Sequence, residues 1–214
     1  MLKRFDNIPR EFEAIKDKDE TIYWVDQPAF VPFILSGLPF LIFGIVWFVI
    51  SSSFFGVFKT GMGDMPSGLT TTVFLFALLH QFPFYLSVFN FVRLFLVHRN
   101  TYYGYSNKRV MHRTGFMGID FKTIDYDKIQ NIEVNVNPLE RYLDVGSILI
   151  FSGEIIASDR GSRSAYTTFK SIKDPYTIFK KIKEVSVDIK TDWSYPNVLR
   201  PEENPGYKTK YKGD

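Results

Sequence analysis

The sequence predicts a membrane-embedded helical hairpin followed by a β-rich domain that one C-terminal helix closes. Three observations predict this fold class. Residues 27–58 and 65–92 contain no Asp, Glu, Lys or Arg, and each stretch exceeds the ~20 apolar residues that a bilayer-spanning helix needs. Residues 102–169 contain short segments of alternating apolar and polar side chains, which is the pattern of half-buried strands. An amphipathic segment then begins at Pro175.

The two spanning helices are expected at about residues 30–57 and 69–97, within a hairpin unit of residues 29–97. Pro39 and Pro83 are expected to bend them, because proline removes a helical hydrogen bond. Gly37 and Gly44 lie on the first helix. Glycine lets two membrane helices approach closely, so we expect both residues to form helix–helix contacts.

The distribution of basic residues predicts the orientation of the hairpin. Lys and Arg are frequent before the first helix and after the second, whereas the link at residues 59–68 carries one cation. Cytoplasmic loops of membrane proteins carry the excess of Lys and Arg. The sequence therefore predicts a multi-pass protein of the cell membrane with both termini and the β-rich domain in the cytoplasm. The acidic residues of the N-terminal segment contribute little to this rule.

About seven strands are expected within residues 98–187. Residues 147–151 and 155–157 are expected as two separate strands, and a turn is expected at residues 159–162. Ile132, Val134 and Val136 alternate with polar residues, which predicts a strand with one buried face. Asp174 and Pro175 are expected to begin the closing helix as its N-cap and first residue. Residues 1–28 are assigned to an N-terminal cytoplasmic segment and residues 188–214 to a flexible charged tail.

Four segments in a fixed order carry a resemblance to a known family. They are Tyr105–Val110, Arg113–Gly115, Ile124–Ile132 and Leu139–Ile148. With the preceding hairpin they resemble the bacterial pleckstrin-homology-like (PH-like) membrane proteins, over about residues 20–186. The resemblance implies a PH-like β-barrel or sandwich of seven strands with one C-terminal helix. It implies no catalytic residues.

Lys108, Arg109 and Arg113 form a basic cluster just after the second helix. On a strand, residues 109 and 113 share one face. Basic residues close to an anionic membrane surface each contribute about 1 kcal/mol of attraction, so the cluster is a candidate contact for anionic lipid. The alternative is that these are solvated strand charges that also help to set the topology.

His80 lies beside Gln81 within the second helix. Polar groups at membrane depth are costly unless they face another helix or a cavity. We expect His80 to make a helix–helix contact, within the hairpin or with a partner subunit. A proton-sensitive or ligand-binding site is the alternative.

Several chemistries are excluded or disfavoured by composition. The absence of cysteine excludes disulfides, thiolate metal sites and cysteine nucleophiles. Asp120, Asp125, Asp127 and Glu133 suggest paired carboxylates or a cation site as one interpretation. They alternate with lysines, as on a solvated face, which is the interpretation we favour. We expect no cofactor, no metal, no nucleic acid and no small-molecule substrate.

The sequence thus predicts a non-enzymatic, membrane-anchored interaction protein that acts as a scaffold, adaptor or assembly factor at the cytoplasmic membrane face. Its expected partners are the lipid bilayer and a membrane protein or a second copy of the chain. The alternative is an accessory subunit of an oligomeric transporter or channel, with His80, Gln81 and the helix-bending prolines lining the pathway. An enzyme would require polar groups clustered in a pocket.

Overall fold

The computed structural model describes residues 8–61, 66–158 and 161–194. These residues form two compact units: an apolar helical unit, Phe33–Arg99, and a β domain built from the chain up to Pro32 and from Asn100 onward. The elements in chain order are α1 (Arg10–Ala14), β1 (Ile22–Asp26), α2 (Phe30–Leu35), α3 (Leu38–Gly61), α4 (Ser67–His80), α5 (Phe82–Asn100), β2 (Tyr102–Ser106), β3 (Arg109–Thr114), β4 (Asp120–Asp125), a 3₁₀ turn (Tyr126–Lys128), β5 (Asn131–Asn135), α6 (Pro138–Tyr142), β6 (Val145–Ser158), β7 (Gly161–Lys173) and α7 (Pro175–Ser194).

Each arm of the helical unit breaks once, just before a proline. The first arm breaks at Ser36–Gly37, so Pro39 lies in the first turn of α3. The second breaks at Gln81, so Pro83 lies in the first turn of α5. A proline in the first turn of a helix sacrifices no hydrogen bond, whereas in mid-helix it does. The bends expected at these prolines are therefore present as breaks in the helices.

The β domain contains seven strands in two antiparallel sheets. Their orders are β1-β2-β3-β4 and β5-β6-β7, and α7 packs against the second sheet and the 3₁₀ turn. Two long apolar helices, two β-sheets and a C-terminal helix agree with the predicted PH-like plan. The core is rich in tyrosine, and Tyr103, Tyr105 and Tyr126 are almost fully buried. The Tyr126 hydroxyl donates to the Ser106 carbonyl at 2.8 Å.

Strand β1 differs from the sequence-based division of the chain. That division placed residues 1–28 outside the β domain, yet Ile22–Asp26 is an edge strand of the first sheet. Asp26 is aligned with Tyr103 across the pair formed by β1 and β2. The helical hairpin is thus inserted between two paired strands rather than preceding the domain. Five residues without an alternating pattern gave no signal of a pairing so distant in sequence.

Two further boundaries differ. The segment at Ile155–Ala157, expected as a separate strand, continues β6, with a register shift between Phe151 and Ile155. Helix α7 continues to Ser194, although a flexible tail was expected from residue 188. The apolar stripe of α7 extends to Ile189, which packs against the core. The remaining tail, residues 195–214, and the centre of the expected turn, residues 159–160, lie outside the described residues.

Candidate functional site

The outer face of the first sheet is covered by the N-terminal segment, Ile8–Glu20, which we call the N-terminal cover. Its Phe12 is fully buried and packs with Val25 and Met111. The ring of Phe12 meets that of Phe121 edge to face, with centroids 4.9 Å apart. The cover is therefore a packed part of the β domain.

Arg113 on β3 is buried beneath this cover. Its Nη2 donates to Glu11 Oε1 at 3.2 Å, and its Nη1 donates to the Asn100 carbonyl at 2.8 Å. Its Nε lies 3.2 Å from Glu11 Oε2, an ion-pair distance without hydrogen-bond alignment. The guanidinium also lies 5.4 Å from the centre of the Tyr102 ring. The pKa of Glu11 is lowered mainly by a hydrogen bond from the Glu11 backbone N–H to the Glu11 carboxylate, and also by Arg113.

Arg109 occupies the same face of β3, nearer the other end of the cover. It pairs with Asp17 and lies 3.2 Å from Glu20. The Glu20 carboxylate is buried and also accepts a hydrogen bond of 2.6 Å from the Ser106 hydroxyl. A buried carboxylate needs such partners, because an unpaired charge away from water is costly. Arg109 therefore helps to attach the cover to the sheet.

The ion pairs of Arg109 and Arg113 limit their availability to anionic lipid. Both arginines, predicted to contact such lipid, are held by acidic residues of the same chain. Lys108 lies 3.7 Å from Asp17 with about a third of its side chain exposed. The structure thus brings the three predicted cations together, but around a common acidic partner segment. The acidic residues of the N-terminal segment are present in the sequence, but no local pattern in it predicts that they pair with this cluster.

The glycines predicted to mediate helix contacts lie where α3 and α5 approach each other within the helical unit. A Cβ at Gly44 would lie 1.9 Å from Ser87 Oγ, and one at Gly37 would lie 2.4 Å from Leu94 Cδ1. At Gly44 the Ser87 Cβ would also lie within 2.6 Å, so a larger side chain there would force the helices apart. At Gly37 only the flexible end of the Leu94 side chain would have to shift. The helices pack in antiparallel fashion, since residue 37 meets 94 and residue 44 meets 87.

His80 lies among three aromatic rings. Its ring centroid is 5.1 Å from that of Trp47, 5.6 Å from Phe55 and 5.8 Å from Phe76. Its backbone carbonyl accepts the Trp47 indole N–H at 3.0 Å. That carbonyl has lost its usual helical donors, because residue 83 is proline and the N–H of Phe84 donates to Gln81. The indole therefore satisfies a backbone group that the helix break exposes.

Gln81 makes a second polar contact between the arms. Its Nε2 donates to the Ser52 hydroxyl at 3.2 Å, and the side chain is buried. Beside this contact is an open, apolar cavity of about 350 Å³, lined by Phe43, Val46, Trp47, Ile50, Ser51, Phe54 and His80. The lining contains no acid, lysine or arginine. Its chemistry suits an apolar chain better than an ion.

Two other groups of titratable residues have local structural roles. Asp125, one of the acids considered for a cation site, pairs with Lys128 at 3.0 Å. Among the described residues, no group of three or more His, Asp or Glu side chains is placed to bind a metal. His112 is packed against Tyr103 and Phe169. Burial, with Lys122 nearby, lowers its pKa to about 4, so it is neutral at pH 7.

The Bacterial PH domain family model matches residues 30–186. A solved structure, that of a DUF1696 family protein with a pleckstrin-homology domain from Shewanella loihica PV-4, is 16% identical, with a TM-score of 0.29 over 40% of this chain and 71% of that one. No curated protein matches. Since the family model covers well over half of the chain, the protein belongs to the bacterial PH domain family.

Proposed function

We propose that this protein is a non-enzymatic, membrane-anchored PH-like domain protein that acts as a scaffold, adaptor or assembly factor at the cytoplasmic membrane face. One observation carries the proposal. The apolar hairpin leaves the first sheet after β1 and returns at β2, the strand paired with β1. A bilayer in which the hairpin is embedded would therefore hold the β domain through the two chain segments that join the hairpin to β1 and β2. Such anchoring raises the effective concentration of the domain against membrane partners.

The surface of the helical unit supports its placement in lipid. The apolar spans Leu38–Phe58 and Gly68–Asn100 contain 21 and 33 residues. Val49, Ile50 and Leu79 are each more than half exposed. Exposed apolar surface costs about 25 cal/mol per Å² in water and nothing comparable in hydrocarbon. Basic residues near the domain-side ends, including Arg93 and Arg99, support a cytoplasmic domain.

The engaged polar groups support anchoring over a transport role. Trp47 donates to the His80 backbone, and Gln81 donates to Ser52. These contacts join the two arms of one hairpin, and two helices alone do not enclose a pathway. No observation on the described residues favours the transporter subunit.

The strand pairing suggests a direct test. Because Asp26 is aligned with Tyr103, a short Gly–Ser linker can replace residues 30–99 and close β1 onto β2. We expect the full chain to resist alkaline extraction from membranes. We expect the linker variant to be water-soluble and to retain the β-rich circular dichroism spectrum. Alkaline release of the full chain would contradict anchoring by the hairpin.

The scaffold role requires a second comparison. A variant carrying an unrelated two-helix hairpin between β1 and β2 should keep the crosslinked partner of the native chain, because recognition is assigned to the domain. Loss of the partner with a folded domain would assign recognition to the hairpin instead. Recovery of the native chain free of any crosslinked partner, itself included, would contradict the scaffold role.

A further inference from the structure

One end of the β domain is defined by where the hairpin joins it. Successive connections in an antiparallel sheet alternate between its two ends. The hairpin connects β1 to β2, so the connection from β3 to β4, residues 115–119, lies at the same end of the sheet. We call this the hairpin end of the domain.

The loop at residues 115–119 is attached to the chain that emerges from α5. The Asn100 side-chain N–H donates to the Gly115 carbonyl at 3.2 Å. Gly115 has a φ of +146°, and a Cβ there would lie 2.0 Å from the Gly118 carbonyl oxygen. This tight turn requires glycine at position 115, and residues 116 and 117 lie between its two glycines. Met117 is 92% exposed.

Helix α6 lies at the same end, on the second sheet. The N–H of Ala29, where the chain enters the hairpin, donates to the Ser171 carbonyl at 2.7 Å. The Ser171 hydroxyl lies 3.4 Å from Glu140 of α6. Glu140 and Asn137 form a capping box that fixes the start of this short helix. Tyr142, at its end, is 87% exposed.

Among the described residues of the β domain, the three most exposed large apolar or aromatic side chains lie at the hairpin end. Met117 and Tyr142 are the two most exposed large apolar or aromatic residues among the described residues of the chain. Ile119, Leu139 and Tyr176 are also exposed at this end. Tyr176 belongs here because α7 starts just after β7, whose last residue is aligned with the first of β6. Apolar residues mixed with tyrosine are typical of surfaces at the membrane–water boundary.

We propose that this rim of Met117, Ile119, Leu139, Tyr142 and Tyr176 inserts into the interfacial layer of the bilayer that holds the hairpin. The inference rests on the proposed membrane anchoring and adds a lipid-binding surface that differs from the basic cluster. The covalent connection supports it, because Asn100 directly ends the apolar span and is bonded to the loop. The rim would fix the tilt of the domain relative to the membrane.

The exposed charges beside the rim on the second sheet are balanced in sign. Arg141 and Lys173 are exposed, but so are Asp144 and Asp174. Contact through the rim should therefore depend little on ionic strength. Binding by a basic patch, by contrast, weakens as salt screens it.

The absence of native cysteine makes the test simple. Single cysteines replace Met117, Tyr142, Val49 or Ile155 in the full chain, each labelled with an environment-sensitive fluorophore and reconstituted into vesicles. Some vesicles carry lipids with a nitroxide high on the acyl chain. Val49, on α3, reports insertion of the hairpin. Ile155 is the matched control, because it is 61% exposed but lies about 30 Å along β6 from the hairpin end.

We expect quenching at positions 117, 142 and 49 but not at 155, and we expect it to persist at high salt. Quenching at 49 without quenching at 117 and 142 would overturn the rim while leaving the anchored domain intact. Absence of quenching at all positions would overturn both. Equal quenching at 155, or loss of quenching at 117 and 142 in high salt, would show non-specific or electrostatic adsorption and would also overturn the rim.

Discussion

Phe12→Ala tests whether the N-terminal cover is part of the folded domain. The Phe12 side chain is fully buried against Val25 and Met111, with its ring edge against Phe121. It also occupies space above Gly104, whose Cβ would lie 2.9 Å from the Phe12 ring. Truncating a buried phenylalanine to alanine costs about 3–5 kcal/mol. The cover is a short surface segment that can relax, so we expect about 3 kcal/mol, at the lower end of that range.

That loss predicts how often the cover opens. A change of about 3 kcal/mol corresponds to a rise of roughly a hundredfold in the open population. The basic residues Arg10, Lys16 and Lys18 in the cover make it cleavable by trypsin once it opens. When opening and closing are fast relative to cleavage, the cleavage rate follows that population. We therefore expect tryptic cleavage of the cover in vesicle-reconstituted protein to accelerate by about two orders of magnitude.

Ile15→Ala provides the matched control, because Ile15 directly follows α1 but is 38% exposed. Its effect should be within about 0.5 kcal/mol, as for most surface substitutions. Equal cleavage rates for Phe12→Ala, Ile15→Ala and the native protein would refute the packed cover. Acceleration by Ile15→Ala as large as that by Phe12→Ala would refute the assignment of Phe12 as its anchor.

Three further predictions concern charge, pH and helix packing. The folded state lowers the pKa of Glu11, so the stabilisation from this carboxylate is present above its ordinary pKa and is lost as pH falls through the folded value. The N-terminal cover of the native protein should therefore become more accessible to protease on acidification, and Glu11→Gln should flatten that pH dependence. An unchanged pH profile in Glu11→Gln would contradict the role of this carboxylate. Because the pKa of His112 is lowered to about 4 in the folded state, the free energy of unfolding should fall by roughly 3 kcal/mol as pH drops from about 6.5 to 4. Chemical denaturation of His112→Phe should show no such pH dependence, and a variant that kept it would assign the effect to another group. Gly44→Val should lower the melting temperature in detergent, since a Cβ there would lie 1.9 Å from Ser87 Oγ. Gly56→Val is the control, because a Cβ at Gly56 meets no atom within 4 Å. Equal melting temperatures for the two variants would contradict the close approach of the helices.

Two sequence patterns made most of the fold predictable. The apolar stretches predicted both arms of the hairpin, and the alternating segments predicted most of the strands after it. Pro39 and Pro83 located the breaks, because the steric and hydrogen-bonding effects of proline are local. Strand β1 was not predictable in this way, since its assignment depends on pairing with β2 across the whole inserted hairpin. Local patterns carry no information about such a partner.

The candidate site was predictable only in part for the same reason. The cluster of Lys108, Arg109 and Arg113 is evident in the sequence, but its acidic partners are not. Glu11 and Arg113 are 102 residues apart, and the tertiary fold alone brings them together. The exposed rim also required the structure, because only the order of strands in each sheet brings Met117 and Tyr142 to the same end of the β domain.

Cysteine accessibility in intact bacterial cells tests the central claim of a cytoplasmic domain anchored by one hairpin. Gly61→Cys places a thiol at the far end of α3, where a Cβ meets nothing within 4 Å. Ile155→Cys places one on the β domain. A membrane-impermeant maleimide should label position 61 in intact cells and position 155 only after the membrane is opened. Labelling of position 155 in intact cells, or of neither position until the membrane is opened, would contradict the account.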